Sequence, residues 1–291
     1  MYQIENEYLK IKVNEKGGSL TSIFDKKRKT ELLYQPIKES WQGQDVFIFP
    51  FIARLKDGTY SFNGKEYPLK NHGLIRYMKG EGCSFNQDLI ISFTSNQETY
   101  QRYPFSFKAY SQYHLENNML TVTYIIFNES SLTMPFCIGG HPAFLLPGEK
   151  KENYFDISGN SVAFEKETKL TRIAQEETCC FNTGEEDFGE YQTLSLSKEM
   201  FSKINTYIFK AKNIDSITLN KKDGHKIQLI KKNIDFLALW SGNPYGNFIA
   251  IEPWNGVPDY LDSKKDITSK KEIINLKPKD KYIFSYSIKV D

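Results

Sequence analysis

The sequence predicts an all-β protein, a large antiparallel β-sandwich with few short helices, and three observations lead there. Phe and Tyr, 21 and 18 of the 291 residues, far outnumber the eight Ala; aromatic side chains suit a pleated, half-buried surface better than a helix. Apolar and polar residues alternate with a period of two in segments spread from one end of the chain to the other. No segment carries a sustained i, i+3, i+4, i+7 apolar stripe, and there is no βαβ alternation or short-period repeat.

Leu9, Ile11 and Val13 alternate with Lys10, Lys12 and Asn14, and Gly17-Gly18 then turns the chain, which predicts an opening hairpin. Phe105 to Tyr113 alternates in the same way, and after the turn Glu116-Asn117-Asn118 the run Met119 to Phe127 reads as its partner strand. Ile217 to Asn220 and His225 to Ile230 flank Lys221-Lys222-Asp223-Gly224, whose Asp-Gly supplies the positive φ of a tight turn. Phe236 to Trp240 and Phe248 to Ile251 are apolar runs of strand length, with the second expected to stop at Pro253, and Tyr282 to Val290 alternates again. Residues 178 to 203 are polar and turn-forming; they are expected to run over the surface, with Ser197 to Phe201 as a candidate short helix. No Pro/Gly/Ser linker separates two halves of different composition, so residues 1–291 are expected to form one domain.

Lys plus Arg exceeds Asp plus Glu by only 38 to 36, a net charge of +2. That leaves no field to hold a phosphate backbone or an acidic membrane, so no nucleic acid or membrane partner is expected. No stretch approaches the roughly 20 apolar residues of a membrane span, and the start has no basic region followed by an apolar one; the expected location is the cytoplasm. Cys83, Cys137, Cys179 and Cys180 include no C-x-x-C and read as reduced thiols.

The four histidines sort by context. His114 lies on the polar face of its strand and His225 follows a Gly-containing turn, so both are read as solvated side chains. His72, in Asn71-His72-Gly73, and His141, in Gly139-Gly140-His141-Pro142, interrupt strand-like sequence with residues that shape the backbone. Glu252 ends the apolar run Phe248-Ile-Ala-Ile251 beside Pro253-Trp254. Partial burial there raises the pKa of a carboxyl and makes its conjugate base stronger. An imidazole that donates a proton and a carboxylate that accepts one are what a sugar hemiacetal needs to open and reclose, with no cofactor. Trp240 and Trp254 could pack against the apolar face of a sugar.

These residues resemble the aldose 1-epimerase, or galactose mutarotase-like, family. The likeness is carried by Phe49-Pro-Phe-Ile-Ala-Arg54, by Asn71-His72-Gly73 with Arg76, by Gly140-His141-Pro142-Ala-Phe144, and by Ile251-Glu252-Pro253-Trp254. The wording is similar to the bacterial branch associated with lactose and galactose utilisation operons. The resemblance implies a twisted β-sandwich with a sugar site in a cleft on one sheet; a monomer or homodimer is expected. It also implies Glu252 as general base at the anomeric hydroxyl, His141 as general acid at the ring oxygen, His72 as a second donor and Arg54 as a sugar ligand. Ala53 stands where Gly or Asn often precedes the arginine. Ala143 replaces a common aromatic, and the family's acidic sugar ligand has only Asp45 and Asp259 as candidates.

The activity expected is interconversion of the α and β anomers of an aldohexose. The alternatives are a carbohydrate-binding protein without catalysis and an epimerase for a phosphorylated hexose, with Arg76, Arg28 or Arg102 at the phosphate. A glycoside hydrolase needs two carboxylates about 5 Å or roughly 6.5 to 9.5 Å apart, and only Glu252 has a strong context. Two histidines and a carboxylate also compose a metal triad, but they lack H-x-x-H spacing, so no metal is expected.

Overall fold

A computed structural model of the chain describes residues 1–176, 181–242 and 246–291. Cys179 and Cys180 therefore lie outside the described residues; Cys83 is an exposed and Cys137 a buried free thiol. The fold is all-β, and its paired strands are antiparallel throughout. The order across the main, 14-stranded sheet begins at Ile138–Gly139 and passes through Phe248–Asn255, Phe236–Trp240, Thr206–Lys210 and Ser161–Gln175. It continues through Ser216–Asn220, Lys226–Lys231, Lys281–Val290, Met119–Asn128 and Phe107–Glu116 to Asp88–Thr94 and Glu81–Phe85. A second sheet of four strands, Tyr2–Glu5 to Thr30–Glu31, packs over it.

Alternation in the sequence becomes the two faces of the sheet. In Phe107–Glu116 the buried side chains are Phe107, Ala109, Ser111, Tyr113 and Leu115; in Met119–Asn128 they are Leu120, Val122, Tyr124, Ile126 and Asn128. Ile11, Val13 and Ile23 of the smaller sheet meet these residues in one apolar core, which is what joins the layers. All three expected hairpins form.

Three expectations are corrected. Residues 182–195 are mainly strand, Asn182–Ser195, paired with Ser161–Gln175, and cross-strand charges such as Arg172–Glu186 (2.5 Å) and Lys169–Asp187 (2.9 Å) accompany the pairing. Ser197 to Phe201 contains turns with single i to i−3 bonds, from Phe201 N–H to Lys198 and from Ser202 N–H to Glu199, and no helix.

The strand Phe248–Asn255 does not stop at Pro253 either. Pro253 has no N–H, but its carbonyl accepts from Gly140 N–H at 3.0 Å and the ladder to Phe236–Trp240 passes over the missing donor. All eight residues of this strand are buried.

Candidate active site

The Phe248–Asn255 strand positions the carboxylate and the chain opposite positions the imidazole. Gly139 pairs with Trp254, and Ala143 with Ala250, so the same register runs on both sides of Gly140-His141-Pro142 and His141 falls opposite Glu252. The three residues stay attached at their ends: Gly140 N–H donates to Pro253 O at 3.0 Å and Ile251 N–H to Pro142 O at 3.1 Å. The two glycines are required by close approach. A Cβ on Gly139 would lie 2.4 Å from the Trp254 ring, and one on Gly140 2.5 Å from the Tyr286 hydroxyl. His141 Nε2 is consequently 3.2 Å from Glu252 Oε2, with both side chains almost fully buried.

His72 arrives from a different loop. Its φ of 60° and the 78° of Gly73 turn the chain sharply, and a Cβ on Gly73 would meet Phe49 O at 2.2 Å. His72 N–H donates to Ala53 O at 2.9 Å, while Ala53 N–H donates to His72 Nδ1 at 3.2 Å. An accepting Nδ1 leaves the proton on Nε2, so His72 is a neutral donor. Ala53 itself has φ 49°, the left-handed region that Gly and Asn adopt most readily, which explains why an alanine there stood out in the sequence. The ring centroids of His72 and His141 are 5.4 Å apart at 87°.

A cavity of about 510 Å³ opens over these groups, lined by His72, His141 and Glu252 together with Arg54, Arg76, Trp240 and Trp254. Seven of the eight site residues expected from the sequence thus meet in one place. The eighth, Asp45, does not reach it. Asp45 is buried beneath the site with its oxygens taken by the main-chain N–H groups of His141 and Leu20. Asp259 is likewise engaged, by Lys270 at 2.5 Å and by Lys56 N–H at 2.9 Å. Neither acidic candidate therefore serves as a sugar ligand in this cavity, because burial forces each carboxylate to take its hydrogen bonds from the protein.

Sequence reasoning missed Trp41, whose ring lies 4.9 Å from that of His141 and 5.2 Å from that of Trp240. It also missed Gln175, Asn205 and Thr206 in the lining. No motif flags these positions; that only three tryptophans occur in the chain was the available signal for Trp41. Of the two histidines set aside, His114 is exposed, as expected, and its Nδ1 lies 2.8 Å from Asp88. His225 is not solvated: its side chain is 17% exposed and its Nδ1 is 3.0 Å from Asp223.

Burial sets the electrostatics. It pushes the Glu252 carboxyl well above the ordinary range; the Trp254 indole opposes this without closing an aligned hydrogen bond, and the charge of Asp45 adds to it. Burial lowers His141 to about 3 and His72 well below its usual value, with the Arg76 guanidinium contributing to both. Burial thus disfavours the charged form of all three groups. Among the described residues, Arg54 and Arg76 form no ion pair, and no cluster of His, Cys, Asp and Glu could hold a metal ion. No helix among them is long and apolar enough to cross a membrane.

This sandwich, with His141 and Glu252 together at the wall of a concave cavity, is that of a sugar epimerase of the isomerase class, and the chain belongs to the aldose 1-epimerase family, whose profile matches residues 1–289. It is 29% identical over 301 residues to the plasmid-encoded protein LacX of Lactococcus lactis subsp. lactis, covering 99% of this chain and 98% of that one. Among solved structures, it is similar to the galactose mutarotase related enzyme of Lactobacillus acidophilus, with TM-score 0.92, 26% identity and coverage of 100% and 97%. A galactose mutarotase-like protein of Lactobacillus casei gives TM-score 0.91 at 25% identity, with both chains covered completely. The family and the lactose-operon branch read from the motifs agree with these relatives.

Proposed function

We propose that the cavity takes up the cyclic form of an aldohexose and interconverts its α and β anomers. The observation that carries this reading is the 3.2 Å approach of His141 Nε2 to Glu252 Oε2 at the wall of a cavity of sugar size. The pair holds one proton. Its transfer from Glu252 to His141 gives a carboxylate and an imidazolium, the base and acid that ring opening requires. Glu252 accepts the proton of the anomeric hydroxyl as the bond from C1 to the ring oxygen breaks and the C1 carbonyl forms. His141 gives its proton to the ring oxygen, with the His72 Nε2–H as a second donor to the oxygen's developing charge. Rotation about C1–C2 then presents the other carbonyl face. The ring oxygen attacks it, its proton returns to His141, and Glu252 protonates the new anomeric hydroxyl. Protons and electrons balance without a cofactor.

The cavity's other groups suit the same substrate. Trp41 and Trp240, both partly exposed, offer apolar faces to the C–H surface of a sugar, whereas Trp254 is 2% exposed and packs in the core beneath; Asn71, Gln175 and Asn205 offer amides to the sugar's hydroxyls. Arg54 and Arg76, which have no acidic partner among the described residues, favour one second reading: a hexose that carries a phosphate.

The test is the approach of freshly dissolved α-galactose and α-glucose to anomeric equilibrium, followed by polarimetry or proton NMR in weak buffer, with hexose 6-phosphates as competitors. Acceleration by the wild type and its loss in Glu252→Gln is the expected result. Strong competition by a phosphorylated sugar would transfer the reading to that class. Sugar binding without acceleration would replace the enzyme reading by a binding protein.

A further inference from the structure

A carboxylate that never meets the substrate cavity lies directly behind the acid–base pair. Asp45 is 3% exposed. Its Oδ1 accepts the main-chain N–H of His141 at 3.1 Å, its Oδ2 that of Leu20 at 3.3 Å, and the N–H of Val46 adds to these. One side chain thus ties the opening hairpin to the residue that stands opposite Glu252. The titratable groups that face it are Tyr113 of Phe107–Glu116, Tyr124 of Met119–Asn128, Tyr286 of Lys281–Val290, and Glu252 itself. Among the described residues it has no cationic partner. Only main-chain dipoles hold the charge.

Burial makes this an unfavourable place for a charge and raises the Asp45 carboxyl to about 6. An amide would avoid the desolvation, but it offers one acceptor oxygen and would turn its NH₂ toward a second N–H. An apolar residue would leave the His141 and Leu20 N–H groups unpaired.

We propose that Asp45 is a positioning residue of the reaction: it fixes the main chain of His141 opposite Glu252, and its negative charge behind the pair favours retention of their shared proton. The charge opposes ionisation of Glu252 and, by the same Coulomb sign, favours a cationic His141. The inference rests on the anomer interconversion proposed above and assigns a function to a residue outside the substrate's reach.

The experiment is the pH dependence of kcat and KM for anomer interconversion by wild type, Asp45→Asn and Asp45→Glu. Asp45→Asn is expected to lose about tenfold or more in kcat with KM changed less than about twofold, since Asp45 touches no substrate. Its acid limb is expected at lower pH, so that its activity relative to wild type rises about threefold or more from the plateau into the acid limb. Asp45→Glu keeps the charge but displaces it by one methylene, and should show reduced kcat with the limb of the wild type. A uniform loss in Asp45→Asn with an unmoved limb would reduce Asp45 to a structural role and overturn the proposal. If Asp45→Asn does not fold, the neutral variant Asp45→Ser takes its place: reduced kcat with the acid limb moved to lower pH supports the assignment, and an unmoved limb overturns it. A wild type that accelerates no sugar would overturn the anomer reading itself, an outcome distinct from active enzyme with unaltered Asp45 variants.

Discussion

His141, in the three-residue link between the strands Ile138–Gly139 and Ala143–Leu145, stands opposite Glu252 of Phe248–Asn255, and the register is the same on both sides of it. The contact is therefore a property of the ladder, set by main-chain bonds from Gly140 and Ile251, and not of a flexible loop meeting a strand. Groups anchored by main-chain bonds on both sides lose little entropy when a ligand arrives, which suits the acid and base roles proposed for them.

Glu252→Gln removes the base while keeping shape, and kcat is expected to fall about 10²- to 10⁴-fold. The same change should improve stability at neutral and alkaline pH. A carboxyl whose folded pKa is raised lends stability below its unfolded pKa and loses it as pH rises. Thermal unfolding at pH 5 and pH 8 should show the advantage of the variant growing with pH; an advantage that shrinks would contradict the raised pKa.

For Asp45 the corresponding interval runs from 3.8 to about 6. Across it the wild type should lose on the order of 2 to 3 kcal/mol relative to Asp45→Asn, whatever the offset between them at pH 3.8. Urea unfolding at both ends of the interval measures this. A difference that does not change with pH would show that the carboxyl titrates normally.

His72 should remain the neutral Nε2–H tautomer down to pH 5, because burial disfavours its cation and Nδ1 accepts from Ala53 N–H. Two-dimensional ¹⁵N NMR of the imidazoles distinguishes the tautomers. A doubly protonated ring at pH 5 would remove His72 from the role of neutral donor.

Trp41→Ala should raise KM by about tenfold with a smaller effect on kcat, as expected for an aromatic face that contacts a bound sugar but no reacting atom. An unchanged KM would mean that Trp41 only packs against His141 and Trp240.

Gly140→Ala should destabilise the fold by about 1 to 3 kcal/mol, since its Cβ would press on the ring and hydroxyl of Tyr286. The displaced His141 should also lower kcat. Unfolding and rate measurements together test this; normal values of both would show that the sheet yields there at no cost.

The sequence by itself determined the all-β class, the hairpins and most of the residues that meet at the candidate cavity. Alternation of period two fixes which side chains face the core, and residues such as Gly140, Gly73 and Pro142 mark where the chain must leave regular strand geometry. His72, His141 and Glu252 were legible because few residues of their type stood in such settings. The tertiary structure alone decided the rest. A carboxylate's chemical role depends on whether its oxygens meet a cavity or main-chain N–H groups, and nothing local to Asp45 or Asp259 states which. Trp41 joins the cavity through side-chain contacts with His141 and Trp240, and those neighbours come from distant segments. The polar run from Asn182 became a strand because Ser161–Gln175 lies beside it, so that pairing across strands overrode local turn preference.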